Sequence, residues 1–119
     1  MIALLRRGQI VIVSLDPSVG SEASKTRPAV LVSNNTANAV AARSDRATVT
    51  VVPLTSNTAR ILPFQIHLPA SETGLDRDTK AQAEQVRTVA VSRIVRPVGW
   101  VSAELMGALD EALRLHLSL

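Results

Sequence analysis

Three clusters of polar residues in the sequence could do chemistry, and the first leads directly into a strongly apolar stretch. Residues 19–28 contain a carboxylate at Glu22, an ammonium at Lys25 and a guanidinium at Arg27. An arginine at the mouth of a strand suits bidentate phosphate binding, because its planar fork matches two phosphate oxygens. The cluster therefore indicates either an anion site or an ordinary solvated loop.

The other two clusters also lie beside predicted strands. One is a turn in which Thr55, Ser56 and Asn57 offer hydroxyl and amide donors. The other interrupts the alternation expected of a strand and comprises Gln82, Glu84, Gln85 and Arg87. Each also has a plain structural interpretation. Residues 55–57 can be a turn with side-chain-to-backbone hydrogen bonds, and residues 82–87 can be a hydrophilic edge strand. If the three clusters converge in the fold, they predict a phosphate or nucleic-acid site.

Other catalytic chemistries have little support in the sequence. The chain has no cysteine, and its two histidines, His67 and His116, lack the spacing of metal ligands, so we predict neither a metal site nor a cofactor. His67 alternates out of an apolar strand and is expected at the surface, and His116 is expected on the last turn of a helix. The phosphate-binding glycine loops and the G-x-S-x-G motif of many serine hydrolases are absent.

The length and composition are those of one globular domain spanning residues 1–119. Apolar residues make up 46% of the chain and charged residues 19%, with a net charge of +3. Phe64 and Trp100 are the only aromatic residues, which nearly excludes a nucleic-acid platform built on stacked rings. Because no signal peptide or membrane span is recognisable, we expect a cytoplasmic protein with no membrane partner.

Hydrophobic periodicity and the positions of proline predict the strands that must place these clusters. We predict strands at residues 9–15, 29–33, 48–52, 64–68 and 97–101, with one or two more between 79 and 89. Pro28 is expected at the first residue of the second strand, because proline has no hydrogen-bond donor for a sheet. Pro53 is expected to end the third strand.

Two helices and two loops complete the predicted fold. Either Asn34 or Asn35 caps a short helix that ends at Ala42, and Ser102 caps an amphipathic helix at the C-terminus. Ser92 caps a single helical turn, and residues 16–26 and 69–78 are loops. These elements predict a β-rich α+β fold, a strongly bent sheet or small barrel with the last helix packed outside it.

The same polar clusters carry a family resemblance. The chain resembles the MazF/PemK toxins in a collinear series of blocks, which are RGQI at 7–10, LDPSVGSE at 15–22, KTRPAV at 25–30, VLVSNN at 30–35, VVPLTS at 51–56, PF at 63–64 and EQVRTV at 84–89. The resemblance extends into the closing leucine-rich helix and so covers nearly the whole chain.

The resemblance implies a fold, an activity and a set of partners. It implies a small SH3-like β-barrel with appended helices, paired as a homodimer. It also implies a toxin of a toxin–antitoxin module, an mRNA interferase that cuts single-stranded RNA at short sequences without ribosome or metal. The implied products are a 2′,3′-cyclic phosphate and a 5′-hydroxyl. The implied partner is an antitoxin whose disordered tail folds at or near the active site, and through which the complex binds operator DNA.

The resemblance also suggests roles for individual residues. Arg27 matches the arginine of the family's R-P block, Thr55 its threonine after the third strand, and Glu22 a glutamate that is functional in some members. Glu84 stands where another branch has a catalytic aspartate, and Gln82 where that branch has an arginine. This departure favours a MazF-type site built on arginine and threonine.

The chemistry expected of that site is in-line attack by the RNA's own 2′-hydroxyl. Arg27 stabilises the charge that builds on the phosphorane oxygens, and Thr55 positions the phosphate. Either Glu22 or Arg27 itself takes the role of general base. The residues expected to bind RNA are Ser21, Lys25, Ser56, Asn57, Gln82, Glu84, Gln85 and Arg87.

Two other functions remain open at this point. One is a CcdB-like toxin that poisons gyrase from the same type of barrel. The other is a non-catalytic SH3-like module that binds proline-rich peptides, although such grooves are lined with aromatic residues that this chain lacks.

Overall fold

Seven antiparallel strands and three helices make up the fold in the computed structural model, which describes residues 5–15, 19–22 and 25–119. The strands are β1 Gln9–Ser14, β2 Thr26–Leu31, β3 Thr48–Thr55, β4 Gln65–Leu68, β5 Thr79–Gln82, β6 Arg87–Ala90 and β7 Ile94–Trp100. The helices are α1 Asn35–Ala42, α2 Ala70–Thr73 and α3 Ala103–Leu117, with single 3-10 turns at Ala83–Gln85 and Val91–Arg93.

The sheet is organised around β3, its longest strand. The strands are paired in the order β4-β5-β3-β2-β1-β7, and β6 joins separately to β3. On one side of β3, residues 48–51 pair with β6 while residues 54 and 55 pair with β5. This division confirms the predicted bent, β-rich α+β fold. No ladder joins β4 to β7 in the described part of the chain, so the word barrel fits the sheet only loosely.

Both faces of the central strands are buried, each against its own apolar cluster. Val51 packs in a cluster with α1, whereas the next residue, Val52, packs in a second cluster with α3. Met106, Leu109 and Ala112 are the buried residues of α3. Because successive side chains of a strand point to opposite faces, two-sided burial explains the unbroken β-branched runs in the sequence.

The helix starts agree with the sequence predictions. Asn34 caps α1, and its side chain accepts a hydrogen bond from the backbone N–H of Ala37 at 2.8 Å. Ser102 caps α3 in the same way, accepting from the N–H of Leu105 at 3.2 Å. Each cap satisfies one of the amide groups that a helix leaves unpaired at its start.

Both predictions about proline were wrong in position. Pro28 lies inside β2 and Pro53 lies inside β3, which continues to Thr55. Pro28 pairs with Ile12 of β1, but the ladder between β2 and β3 begins only at the next residue. Pro53 likewise pairs with β2 alone, since it falls between the segments that pair with β6 and β5. Each proline therefore occupies a locally unpaired edge, where its missing N–H costs nothing.

Three other boundaries differ from the predictions. The predicted loop at 69–78 contains α2, a helix of four residues that is too short to show periodicity. Ser92 lies inside its 3-10 turn, which Ala90 precedes, and β7 begins at Ile94 rather than at residue 97. Within the predicted loop at 16–26, residues 16–18 and 23–24 lie outside the described residues.

Candidate functional site

A cavity of about 310 Å³ opens where β2 begins and β3 ends. A third chain segment, between α2 and β5, completes its wall. Its lining residues are Lys25, Thr26, Arg27, Pro28, Leu54, Thr55, Ser56, Leu75, Asp76, Arg77 and Thr79. Three of these side chains are cationic and one is a carboxylate, so the cavity suits an anionic ligand.

The sheet register explains why Arg27 and Thr55 meet. β2 and β3 are antiparallel, with Ala29 opposite Pro53. Continuing this register by two residues places Arg27 opposite Thr55, and both line the cavity. Each is half-buried, so each combines a fixed backbone with access to a ligand. Antiparallel pairing thus converts two separate sequence clusters into one site.

Thr55 and its neighbours form a polar turn at the end of β3. The Thr55 hydroxyl oxygen accepts a hydrogen bond from the N–H of Asn57 at 3.3 Å. The Thr55 hydroxyl hydrogen is not used in that bond, so the group can donate to a ligand oxygen. Ser56 lines the cavity beside it, whereas Asn57 is exposed and does not belong to the lining.

The segment that leads into β2 places Lys25 at the cavity and Glu22 elsewhere. Lys25 has a left-handed backbone, with φ of 66°, and its carbonyl accepts a hydrogen bond from the N–H of Leu15 at 2.9 Å. A Glu22 carboxylate oxygen accepts from the N–H of Val19 at 2.8 Å, which closes a turn within the loop. Neither Glu22 nor Ser21 lines the cavity.

The cluster at residues 82–87 lies outside the cavity lining and is tied into the fold. One Glu84 carboxylate oxygen accepts from the Gln65 side-chain amide at 2.7 Å. The second Glu84 oxygen and the Gln82 side-chain oxygen are buried, with no hydrogen-bond partner among the described residues. Gln85 donates to the carbonyl of Ser21 at 3.2 Å, and so links this cluster to the loop before β2. Arg87 lies on β6, where it pairs with Val51.

Asp76 and Arg77 are the site residues that sequence reasoning missed. They lie in the predicted loop at 69–78 and reach the cavity because α2 and β5 bring their segment beside β3. The one local signal is the charged triplet at 76–78, which follows Gly74 and Leu75 and precedes a strand. Such a triplet usually indicates a solvated turn, and only the tertiary fold places its first two residues in the cavity wall.

Both histidines lie away from the cavity. The exposed His67 imidazole approaches the Asp78 carboxylate, with 3.4 Å between Nε2 and Oδ2, and the surface prediction for His67 is confirmed. His116 lies in the last turn of α3, with its ring 6.0 Å from that of Phe64.

Within residues 5–15, 19–22 and 25–119, no three acidic, histidine or cysteine side chains converge as metal ligands. None of the helices in this part of the chain is long and apolar enough to cross a membrane.

Comparison with known proteins gives a consistent set of relatives. The family described as PemK-like, MazF-like toxin of type II toxin–antitoxin system matches residues 6–117. The chain is 57% identical over 116 residues to Endoribonuclease MazF9 of Mycobacterium tuberculosis, covering 98% of both proteins. A crystal structure of MazF from Deinococcus radiodurans superposes with a TM-score of 0.80 at 24% identity, covering 98% of both chains. A mycobacterial endoribonuclease in complex with its cognate antitoxin superposes with a TM-score of 0.74 at 24% identity, covering 97% of this chain and 96% of that one.

Proposed function

The chain belongs to the PemK-like, MazF-like family of type II toxin–antitoxin toxins, and from this membership we propose that it is an endoribonuclease that cleaves single-stranded mRNA in the cavity described above. The identity of 57% to a mycobacterial endoribonuclease, over 98% of both chains, supports the activity. The observation that carries the choice of site is the register of β2 and β3, which sets Arg27 opposite Thr55 in one cation-rich cavity.

The proposed reaction is an internal transesterification of RNA. The 2′-oxygen attacks the adjacent phosphorus, and the bond from phosphorus to the 5′-oxygen breaks, which leaves a 2′,3′-cyclic phosphate and a 5′-hydroxyl. The proton of the 2′-hydroxyl leaves to solvent water, and the 5′-oxygen takes a proton from it. Negative charge increases on the non-bridging phosphate oxygens in the transition state, so a fixed guanidinium at Arg27 stabilises that state more than the bound substrate.

Thr55 positions the phosphate in this proposal. Its oxygen already accepts from the N–H of Asn57, so the remaining role of the hydroxyl is to donate its hydrogen to a phosphate oxygen. A hydroxyl held by the turn keeps its direction before substrate arrives. Holding the reacting groups in one geometry lowers the entropic part of the barrier.

Glu22 has a different role in this proposal, that of ordering the loop before β2. Its carboxylate accepts from the N–H of Val19, and it does not line the cavity. The link from Gln85 to Ser21 fixes the same loop from the other side. Gln85 acts through this loop, and in the proposal it contributes, together with Gln82, Glu84 and Arg87, to the surface that reads the RNA sequence.

The proposed partners follow from the same cavity. An antitoxin whose disordered tail carries carboxylates can occupy the cationic cavity and exclude RNA, since both ligands are anionic. The structural neighbour solved in complex with its cognate antitoxin supports such a partner. A homodimer acting in the cytoplasm, with operator DNA bound through the antitoxin, completes the proposal, and residues 1–119 act as one domain.

Arginine and threonine variants test the proposal directly. Wild-type protein is expected to cut a long mixed-sequence RNA in the presence of EDTA, giving 5′-hydroxyl ends on sequencing. Arg27→Ala lowers the cleavage rate by about 10²–10³-fold, the usual cost of losing a group that stabilises transition-state charge. Thr55→Val, which keeps the side-chain shape and removes the hydroxyl, is expected to lower the rate as well.

Arg96→Ala is the matched control, because Arg96 is an exposed arginine on β7 outside the cavity. It is expected to cut at the wild-type rate. If Arg27→Ala cuts as fast as the control, the proposed mechanism is wrong. Induced expression in a bacterium without antitoxin is expected to arrest growth, and Arg27→Ala to relieve the arrest.

A further inference from the structure

The segment between α2 and β5 brings a second arginine to the cavity. Arg77 lines the cavity and is exposed. It makes no hydrogen bond or ion pair with any described residue, whereas Arg7 and Arg114 are paired with Asp110 and Glu111. The Arg77 guanidinium therefore makes no polar contact that stabilises the described part of the fold, and it lines the same cavity as Arg27, where it is available to a ligand.

The backbone around Arg77 is anchored on both sides. Gly74 ends α2 with φ of 84°, and its N–H donates to the carbonyl of Ala70 at 3.2 Å. After Arg77, one carboxylate oxygen of Asp78 accepts from the N–H of Ala70 at 2.8 Å, and the other lies 3.4 Å from His67. Both ends of the segment are thus hydrogen-bonded to Ala70, so Arg77 can bind a ligand with little loss of backbone entropy.

We propose that Arg77 binds the phosphate adjacent to the scissile phosphate on the RNA strand. This inference rests on the proposed function, in which Arg27 holds the scissile phosphate. The cavity, at about 310 Å³, has the volume of a small-ligand site and not of an extended strand. An RNA strand whose scissile phosphate lies on Arg27 therefore places its next phosphate at the rim of the cavity, where Arg77 is exposed.

A phosphate is the ligand that this arginine suits best. The planar guanidinium forms two parallel hydrogen bonds to phosphate oxygens, and the surrounding cations, Lys25 and Arg27, favour a further negative group. Asp76, next to Arg77 in the same wall, has the opposite charge. If this wall faces the RNA backbone, removing the two charges must change RNA affinity in opposite directions.

Binding measured at several salt concentrations tests the proposal. The probe is a fluorescent oligonucleotide with the sequence at which wild-type protein cuts, carrying fluorine in place of every 2′-hydroxyl, so that it binds without being cut. We expect Arg77→Gln to bind it about tenfold more weakly. The slope of log affinity against log salt is expected to fall by about 0.7, the value for one phosphate contact on a single strand. Asp76→Asn is expected to bind about two- to fivefold more tightly.

Two further variants serve as controls. Arg77→Lys keeps the charge and is expected to keep the wild-type salt slope, whereas Arg96→Gln removes an exposed arginine elsewhere and is expected to change neither affinity nor slope. Unchanged affinity in Arg77→Gln overturns the proposal. Weaker binding at an unchanged slope also overturns it, since it indicates a contact to a base.

Two measurements distinguish a failure of the proposed function from a failure of the inference about Arg77. Wild-type cleavage of RNA, with 5′-hydroxyl ends, is measured in the same preparation. A wild-type protein that does not cut RNA contradicts the proposed function. A protein that cuts normally while Arg77→Gln binds the probe as wild type does contradicts only the inference about Arg77.

Discussion

Two glycine-to-alanine substitutions, one expected to lower the stability of the fold and one expected to raise it, test how tightly α2 packs beside the cavity. Gly99 lies in β7, and a Cβ atom added there would overlap the carbonyl oxygen of Thr73 and lie 3.3 Å from its carbonyl carbon. Both of these atoms belong to the backbone of α2, so neither can rotate away. Gly107 lies in α3, and a Cβ atom there would meet nothing within 4 Å.

The magnitudes follow from these two environments. Forcing a methyl group into a filled space costs about 1–3 kcal/mol, so Gly99→Ala is expected to be destabilised by that amount. Gly107→Ala gains about 0.5–1 kcal/mol, because alanine loses less backbone entropy than glycine on entering a helix. At roughly 4 °C per kcal/mol for a chain of this length, Gly99→Ala melts about 4–12 °C lower and Gly107→Ala about 2–4 °C higher than wild type.

Thermal unfolding followed by circular dichroism measures both effects, and RNA cleavage well below the lower melting temperature adds a functional measurement. The Thr73 hydroxyl oxygen accepts from the N–H of Leu75 at 3.2 Å, and Leu75 lines the cavity. Displacement of α2 by Gly99→Ala is therefore expected to slow cleavage even in the folded protein, whereas Gly107→Ala cuts normally. If Gly99→Ala melts within a degree of wild type, α2 is not held against β7 as described.

Two further substitutions separate charge from backbone effects in the loop before β2. Lys25→Gly removes the cost of about 1 kcal/mol that a side chain pays in the left-handed conformation, so thermal unfolding should show no loss of stability while cleavage assays show weaker substrate binding. Equal loss of stability and cleavage would contradict this. Glu22→Gln keeps an oxygen that can accept from the N–H of Val19, so initial cleavage rates should stay within about threefold of wild type. A fall of about 10²–10⁴-fold would instead make Glu22 the general base.

The sequence could predict each polar cluster but not how the clusters would meet. Local features indicate the clusters that contain Arg27 and Thr55, a guanidinium before a β-branched run and a hydroxyl after one, and the family resemblance gives the two residues their expected roles. That they lie opposite each other depends on the register of β2 against β3, which is set by pairing between strands that α1 and its flanking segments separate in the chain. The positions of the strands along the chain and the two helix caps were more predictable, because periodicity and capping chemistry are local.

The prolines illustrate the limit of local rules. Pro28 and Pro53 were expected at strand ends because proline removes a donor, and both lie inside strands. The rule itself holds, since each of them lacks a partner strand on one side. Local sequence patterns do not show which segment of β3 pairs with β2, which with β5 and which with β6. The same pairing decides which residues of the segment between α2 and β5 line the cavity. Asp76 and Arg77 were therefore missed for the same reason.

The scarcity of aromatic residues and the small net charge acquire a common explanation from the cavity. The chain has a net charge of only +3, yet three of its cations come together at one site from the loop before β2, from β2 itself and from the segment after α2. One carboxylate opposes them there. In the proposed function, such a site binds an RNA strand through its phosphates, which every nucleotide carries, and does not need stacked rings to do so. Affinity then depends on where a few charges are fixed by the fold, and the net charge of the whole chain is a poor guide to it.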